Sequence, residues 1–278
     1  MIRLRTDFFA ESLGMGTSMV VLMPQAASGI GMEGSDAPGA GPSADGTADG
    51  GADAGGAGAA DGPAVPVLYL LHGLSDDCTI WERRTSIERY ATEKGIAVVM
   101  PEVRRSFYTD EAVGEAYWTF VAEELPRIVA RTFRVSTARE DTFVAGLSMG
   151  GFGAFKLALN HPERFAAAAS LSGALDPASL PLELHTGHLA ERIWGGREIA
   201  GAADDLLGLV GRRDPAELPA LFLDCGTEDQ LIDQNRRFLA AAKDAGVEVA
   251  SRLRPGAHTW EFWDEGIQDV LDWLPIRG

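Results

Sequence analysis

Six continuous apolar runs of strand length, separated by helical stretches, constrain the fold of this chain more than any other feature. Such unbroken runs are typical of strands that are buried on both faces of a sheet. They cover residues 65–71, 96–100, 142–147, 166–171, 218–224 and 247–253. Helical stretches are expected at residues 116–133, 151–159, 230–245 and 259–274. Because strands that alternate with helices pair in parallel, the sequence predicts an α/β fold, with helices on both faces of a mostly parallel central sheet.

The N-terminal segment predicts a different pairing. Residues 3–9 and 17–23 form two strand-like runs with Gly14 and Gly16 between them, which indicates an antiparallel hairpin. We interpret residues 1–278 as one domain that carries two interruptions.

The first interruption, residues 25–64, is rich in Gly, Ala and Asp and has no hydrophobic periodicity. We interpret it as a flexible surface insertion rather than an acidic interaction tail, because closing a longer loop costs little additional entropy. The second interruption, residues 175–213, breaks the strand and helix alternation. We expect it to form a lid-like excursion over the top of the sheet.

Charge and hydropathy exclude several classes of partner. The formal net charge of −17 disfavours nucleic acids and anionic membrane surfaces, whose negative charges would repel the chain. No apolar run approaches the roughly 20 residues that span a bilayer, and the N-terminus lacks the apolar core of a signal peptide. Cys78 and Cys225 are too few for a disulfide framework. We expect a cytoplasmic protein with a small-molecule partner, possible self-association and no membrane partner.

The segment Gly146-Leu147-Ser148-Met149-Gly150 matches the G-x-S-x-G pattern, with a predicted strand before it and a predicted helix after it. A strand-to-helix turn this sharp crowds the neighbouring backbone, so that glycine is needed on either side. The serine hydroxyl would then stand at the carboxyl edge of the sheet, beside the N-terminus of a helix. The pattern predicts that Ser148 is a nucleophile rather than an ordinary turn residue.

A nucleophilic serine needs a base, and His258 is the preferred candidate. His258 follows the last predicted strand, which places it at the same sheet edge as Ser148. For His72 we expect a loop-bracing role, and for His161 a helix-ending role. His185 and His188 fall in the excursion, where no accompanying ligand cluster supports a metal site.

The acid that orients the histidine is expected after the strand at residues 218–224. We prefer Asp229, with Asp224 and Asp233 as the alternatives, because the chain order serine, acid, histidine is the usual one for this arrangement. Two backbone amides should stabilise the oxyanion of the tetrahedral intermediate, and we expect them from Met149 and Leu74.

Several side chains near the same edge are candidates for substrate binding, although ordinary core packing of the aromatic ones is an equal alternative. The candidates are Ser106, Phe107, Tyr108, Trp118 and Trp194.

Seven segments in the order of the chain carry a family resemblance. They read LYLLHGLSDD, RSFYTD, VAEELP, GLSMGGFGAFKLALNHPERF, SLSG, CGTEDQLIDQNRRF and HTWEFW. The chain resembles the esterase D-like branch of the α/β-hydrolases, meaning the bacterial tributyrin and acetyl esterases, with feruloyl esterases and S-formylglutathione hydrolases as relatives. The resemblance implies an α/β-hydrolase fold and a serine carboxylesterase of short acyl esters, acetyl to butyryl, that acts through an acyl-enzyme without metal or organic cofactor.

Carried over residue by residue, the resemblance places Ser148, Asp229 and His258 at the triad positions, and Leu74 and Met149 at the oxyanion donors. One departure concerns the oxyanion loop at residues 72–78, which differs from the Ser-Gly-Leu-Thr-Cys type of the formylglutathione hydrolases. Thioester hydrolysis is therefore the less favoured alternative. Feruloyl ester hydrolysis is another alternative, and an acyltransferase or a non-catalytic binding module would represent a different class.

Overall fold

A computed structural model describes residues 1–25, 64–180 and 188–277, and its central feature is one eight-stranded sheet. The strand order is β1-β2-β4-β3-β5-β6-β7-β8. The strands are β1 Ile2–Ala10, β2 Met15–Met23, β3 Val67–Leu71, β4 Ala97–Pro101, β5 Thr142–Leu147, β6 Ala167–Leu171, β7 Ala220–Gly226 and β8 Val249–Arg254.

Strand direction follows the prediction. β1 and β2 form an antiparallel hairpin, and β2 also pairs antiparallel with β4. All pairs from β4 to β8 are parallel. Gly14 takes a φ of 61° in the hairpin turn, a left-handed conformation that favours glycine. The predicted α/β fold with its N-terminal hairpin is confirmed.

Helices cover both faces of the sheet. They are α1 Ile80–Arg84, α2 Ile87–Lys94, α3 Tyr117–Thr119, α4 Leu125–Thr132, α5 Met149–Asn160, α6 Leu189–Trp194, α7 Leu206–Arg212, α8 Ile232–Asp244 and α9 Trp260–Trp273. A π-helical turn, Phe120–Glu124, joins α3 to α4, so the single helix expected at residues 116–133 is interrupted. Helices α1 and α2 had no counterpart in the sequence prediction.

Alternate residues along each strand divide the core into two layers. Val67, Tyr69 and Leu71 of β3 pack with α3 to α8, whereas Leu68 and Leu70 pack with α1, α2 and α9. Burial on both faces explains why β3 to β7 read as continuous apolar runs. The same expectation is wrong for residues 247–253, because β8 is the edge strand of the sheet and none of its residues is buried.

The predicted insertion at residues 25–64 lies outside the described residues, except for its two ends. Of the predicted excursion at residues 175–213, the structure describes all but residues 181–187, and it contains α6 and α7. In the described part of the chain, no helix is both long enough and apolar enough to cross a membrane.

Candidate active site

Ser148 lies at the sharp turn between β5 and α5, as predicted. Its φ of 53° and ψ of −117° lie in a sparsely populated region for a residue with a side chain. Its amide donates to the Leu171 carbonyl of the neighbouring strand at 2.9 Å, and Ala174 donates to its carbonyl at 3.0 Å. These bonds hold the strained turn, and the serine side chain stays half-buried at the carboxyl edge of the sheet.

The glycines around the serine are required by close backbone contacts. A Cβ on Gly146 would lie 2.3 Å from the carbonyl oxygen of Gly150. A Cβ on Gly150 would lie 2.4 Å from the Leu71 carbonyl oxygen and 2.7 Å from that of His72. The start of α5 therefore packs directly on the backbone where β3 ends.

Three of the predicted side chains form one hydrogen-bonded chain. His258 Nε2 lies 3.0 Å from Ser148 Oγ, and His258 Nδ1 lies 2.8 Å from Asp229 Oδ2. This geometry suits an imidazole that accepts the serine proton through Nε2 while Nδ1–H donates to the carboxylate. Although the three residues lie far apart in sequence, parallel strands bring their loops to one sheet edge.

The loop after β7 holds Asp229 as a nearly buried carboxylate, 2 % exposed. Its Oδ1 accepts from the Leu231 amide at 2.8 Å, and Oδ2 faces His258. Burial by itself raises the pKa of Asp229, but the hydrogen bond and charge of His258 and the Leu231 amide outweigh it, so the pKa lies below its ordinary value. The carboxylate therefore stays ionised beside the imidazole.

Glu228 links the loop that contains Asp229 to the loop that contains His258. Its amide donates to the Gly256 carbonyl at 3.0 Å, and its side chain accepts from the Gly256 amide. The Gly256 hydrogen bond lowers the pKa of Glu228 below its ordinary value. A Cβ on Gly226 would lie 2.1 Å from the Gly256 carbonyl oxygen, so the two loops meet closely, and this contact is visible only in three dimensions.

The two alternative acids face other partners. Asp224 is fully buried within β7, where Oδ2 pairs with Arg252 at 3.0 Å and with Arg254 at 3.1 Å. Asp233 pairs with Arg236 at 3.2 Å on the exposed face of α8. Among the carboxylates weighed, the structure places Asp229 against His258.

The other described histidines have partners of their own. His72 Nδ1 lies 2.8 Å from the Gly73 carbonyl and Nε2 accepts from the Val103 amide at 3.2 Å, which is a loop-bracing arrangement. His161 follows α5 and stacks on Trp118. His188 is exposed beside Glu191, and His185 lies outside the described residues. Within the described ranges, no group of three His, Cys, Asp or Glu side chains is placed to hold a metal ion.

The predicted oxyanion donors lie at the start of α5 and in the loop after β3. Met149 is the first residue of α5, where a helix amide has no intrahelical acceptor. Leu74 lies in the loop after β3, two residues beyond the His72 carbonyl that approaches Gly150. Donation by these amides to an oxyanion remains a prediction.

The predicted substrate-binding residues are mostly buried in aromatic packing. The Phe107 ring contacts those of Phe152 and Trp194, with centroids 5.8 and 5.5 Å apart. Ser106 and Tyr108 are fully buried, and Ser106 Oγ accepts from the Tyr108 amide at 3.1 Å.

Of the two tryptophans in this group, Trp194 is buried and only Trp118 is partly exposed. Trp118 is partly buried against His161, and Trp194 lines a cavity of about 450 Å³. The cavity is bounded by Pro177, Ala178, Leu180, Ala190, Glu191, Trp194, Gly196, Arg197 and Ile199. Contact between any of the five predicted residues and a substrate stays a prediction.

An aromatic ladder that the sequence analysis did not anticipate stands behind the histidine. Trp263 packs edge-to-face on His258 with ring centroids 4.7 Å apart. Trp260 continues the ladder from Trp263 to Trp81 at 5.2 and 5.4 Å. Of the three rings, only Trp263 contacts the imidazole, and Trp260 and Trp81 pack behind it.

A mostly parallel eight-stranded sheet with this Ser148 turn defines a protein of the α/β-hydrolase fold. More specifically, the chain belongs to the putative esterase family, whose model matches residues 59–274. This finding confirms the family resemblance and supports a hydrolase.

Two curated proteins are similar in sequence to about three quarters of the chain. The chain is 29% identical over 225 residues to an acetyl esterase of Caldicellulosiruptor saccharolyticus, covering 77% of this chain and 85% of the relative. It is 31% identical over 244 residues to the diacylglycerol acyltransferase/mycolyltransferase Ag85B of Mycobacterium avium, covering 73% of this chain and 72% of the relative.

Two solved structures of Staphylococcus aureus proteins are similar along almost their whole length. The fluorophosphonate-binding serine hydrolase FphF matches with a TM-score of 0.81 and 28% identity, covering 100% of this chain and 99% of that protein. The S-formylglutathione hydrolase FrmB matches with a TM-score of 0.79 and 29% identity, covering 98% of each chain.

Proposed function

We propose that this protein is a serine carboxylesterase that hydrolyses short-chain acyl esters, acetyl to butyryl, through an acyl-enzyme. The observation that carries the proposal is the continuous hydrogen-bonded chain from Ser148 Oγ through His258 to Asp229 at the N-terminus of α5. The similarity to an acetyl esterase supports the choice of a short acyl group.

In the proposed reaction, His258 Nε2 takes the proton of Ser148 as Oγ attacks the ester carbonyl. The negative charge that develops on the carbonyl oxygen is stabilised by the amides of Met149 and Leu74. Asp229 keeps the imidazole in the required tautomer and stabilises its protonated form. His258 then returns the proton to the departing alcohol.

Deacylation repeats these steps with water as the nucleophile. Water gives its proton to His258 and attacks the acyl carbonyl, and the carboxylic acid leaves as Ser148 is reprotonated.

A small neutral ester is the proposed partner, with no membrane or nucleic-acid partner. We propose a cytoplasmic location because both cysteines are free thiols.

The test is hydrolysis of p-nitrophenyl acetate by Ser148→Ala. We expect turnover to be abolished while the circular dichroism spectrum and thermal midpoint are retained, because only the nucleophilic oxygen is removed. Ser86→Ala is the matched control, since Ser86 is exposed at the start of α2 and caps no amide with its side chain. Near-normal turnover by Ser148→Ala would refute the assignment.

Acyl transfer is a second candidate, favoured by the similarity to the mycobacterial acyltransferase. An acyltransferase would use the same acyl-enzyme but pass the acyl group to an alcohol rather than to water. Adding an alcohol acceptor and quantifying ester and acid products separates the two: esterase activity predicts that free acid dominates.

The substrate class is resolved by a panel of p-nitrophenyl esters of increasing acyl length, together with methyl ferulate and S-formylglutathione. We expect the highest kcat/KM for the acetyl to butyryl esters. A preference for S-formylglutathione would instead assign the activity of the similar FrmB structure, and a preference for methyl ferulate would assign a feruloyl esterase. A folded wild-type protein that hydrolyses none of these would indicate a binding module.

A further inference from the structure

Tyr108 lies between the serine helix and the loop of the proposed oxyanion donor Leu74. Its side chain is fully buried, and its hydroxyl donates to the His72 carbonyl at 2.9 Å. Its ring packs on α5, where a Cβ on Gly153 would lie 2.5 Å from the ring. Burial, with a smaller contribution from Glu102, raises the pKa of Tyr108 well above its ordinary value, so the phenol remains a hydrogen-bond donor.

The carbonyl that Tyr108 holds controls the orientation of the oxyanion loop. Because a peptide unit is planar, the His72 carbonyl and the Gly73 amide turn together, and Leu74 is the next residue. The imidazole of His72 is already committed to the Gly73 carbonyl and the Val103 amide. The same His72 oxygen would lie 2.7 Å from a Cβ on Gly150.

A buried ion pair fixes Tyr108 from its other side. Lys156 of α5 donates from Nζ to the Tyr108 carbonyl at 2.8 Å and to Thr109 Oγ1 at 2.9 Å. Nζ also pairs with Asp204, which accepts from Trp194 Nε1 at 2.8 Å. The serine helix therefore contacts Tyr108 directly, and the excursion supports this contact through Asp204 and Lys156.

The backbone at this position is held in a rarely adopted conformation. Phe107 and Tyr108 have φ values of 51° and 50°, both in the left-handed region. Two consecutive residues with side chains persist there only when the surroundings fix them, and such strain is concentrated at functional sites.

We propose that Tyr108 is a positioning residue for the oxyanion site, acting through the His72 carbonyl to set the direction of the Leu74 amide. The inference rests on the proposed esterase function. It gives Tyr108 a role exerted through the backbone rather than through contact with substrate, and it makes Lys156 the support that keeps Tyr108 in place.

The test is Tyr108→Phe, which removes one oxygen and keeps the ring. The loss of an entire oxyanion donor typically lowers kcat by about 100- to 1000-fold. A misdirected donor should cost less, about 10- to 100-fold in kcat for p-nitrophenyl acetate, with KM changed by less than about threefold. Tyr90→Phe is the matched control, because it deletes a tyrosine hydrogen bond of 3.0 Å to Asp264 elsewhere in the fold.

A second readout separates positioning from general loosening of the structure. A trifluoromethyl ketone forms a tetrahedral adduct with an active serine and places an oxyanion in the same site. We expect its Ki to rise by the same factor by which kcat/KM falls, with an unchanged thermal midpoint. Gly153→Ala displaces the Tyr108 ring without removing its hydroxyl, so it should also lower kcat/KM and raise the Ki of the ketone.

An active wild type, with Tyr108→Phe within twofold of it in both kcat and Ki, would overturn the positioning role and leave the esterase proposal intact. A drop in kcat without a change in Ki would likewise overturn the role. A folded wild type without activity on any ester would overturn the proposed function, and this inference with it.

Discussion

Gly150→Ala tests whether the contact between α5 and the end of β3 sets the active-site geometry. Helix propensity alone favours the substitution by about 1 kcal/mol, because Gly150 lies in the first turn of a helix. The structure predicts the opposite effect on activity. The added Cβ would lie 2.4 Å from the Leu71 carbonyl oxygen and 2.7 Å from that of His72, and neither is a side chain that can rotate away.

The size of the effect follows from these distances. Ordinary van der Waals contact begins at 3.4 Å, so the helix start and the loop must separate by about 1 Å. This separation moves Ser148 and the Met149 amide away from the loop that contains Leu74. A misplacement of about 1 Å lowers turnover by about 100-fold, or about 2.7 kcal/mol of activation free energy.

The assay is kcat/KM for p-nitrophenyl acetate, measured beside the thermal midpoint. Gly211→Ala is the control, because a Cβ on this exposed glycine of α7 meets no atom within 4 Å. It should keep full activity and gain up to about 1 kcal/mol of stability. Activity of Gly150→Ala within threefold of wild type would refute the argument that this contact aligns the two sides of the site.

Three further predictions concern stability and titration. Lys156→Met leaves Asp204 buried without its cation and should lower the free energy of unfolding by about 3–5 kcal/mol in a urea titration; a loss below 1 kcal/mol would contradict a net role for the pair. The folded-state pKa of Asp229 is depressed, so its contribution to stability is present above about pH 4 and is lost as pH falls through the folded pKa. Asp229→Asn should therefore weaken the acid dependence of unfolding between about pH 5 and 2, and identical slopes for the two proteins would be the contrary result. Burial raises the pKa of Cys225 to about 12 and also raises that of Cys78. Neither thiol of the folded protein should therefore react with Ellman's reagent at pH 8, whereas both should react in guanidinium. Fast labelling of the folded protein would contradict this.

The parallel sheet was predictable because burial on both faces leaves a direct trace in the sequence. Residues 142–147 read as a continuous apolar run and form β5 with the same bounds. Strand starts were less exact: Val65 was assigned to β3, but it forms only an isolated bridge to Val135. Helix α1 was missed because its five residues are too few to show a helical period.

The convergence of Ser148, His258 and Asp229 was predictable from chain order and motif, because each follows a strand that ends at the same sheet edge. The residues that hold these side chains in place were not predictable from the sequence. Glu228 and Gly256 meet only because two loops are adjacent in space, and Lys156 and Asp204 lie in separate elements. Lys156 follows Ser148 by two helical turns, which indicates a shared face of α5, but the sequence does not give its partner across the fold.

The antiparallel pairing of β2 with β4 places Gln25 and Ala64 at the sheet edge opposite the active-site loops. Residue 22 is in register with residue 98, and residue 67 with residue 97, so β2 leaves the sheet and β3 enters it at the amino edge of the parallel strands. The reactive groups lie beyond the opposite edge, roughly 16 Å away for a strand of five residues. We therefore expect an affinity tag inserted at Gln25 or Ala64 to begin at the sheet edge opposite Ser148.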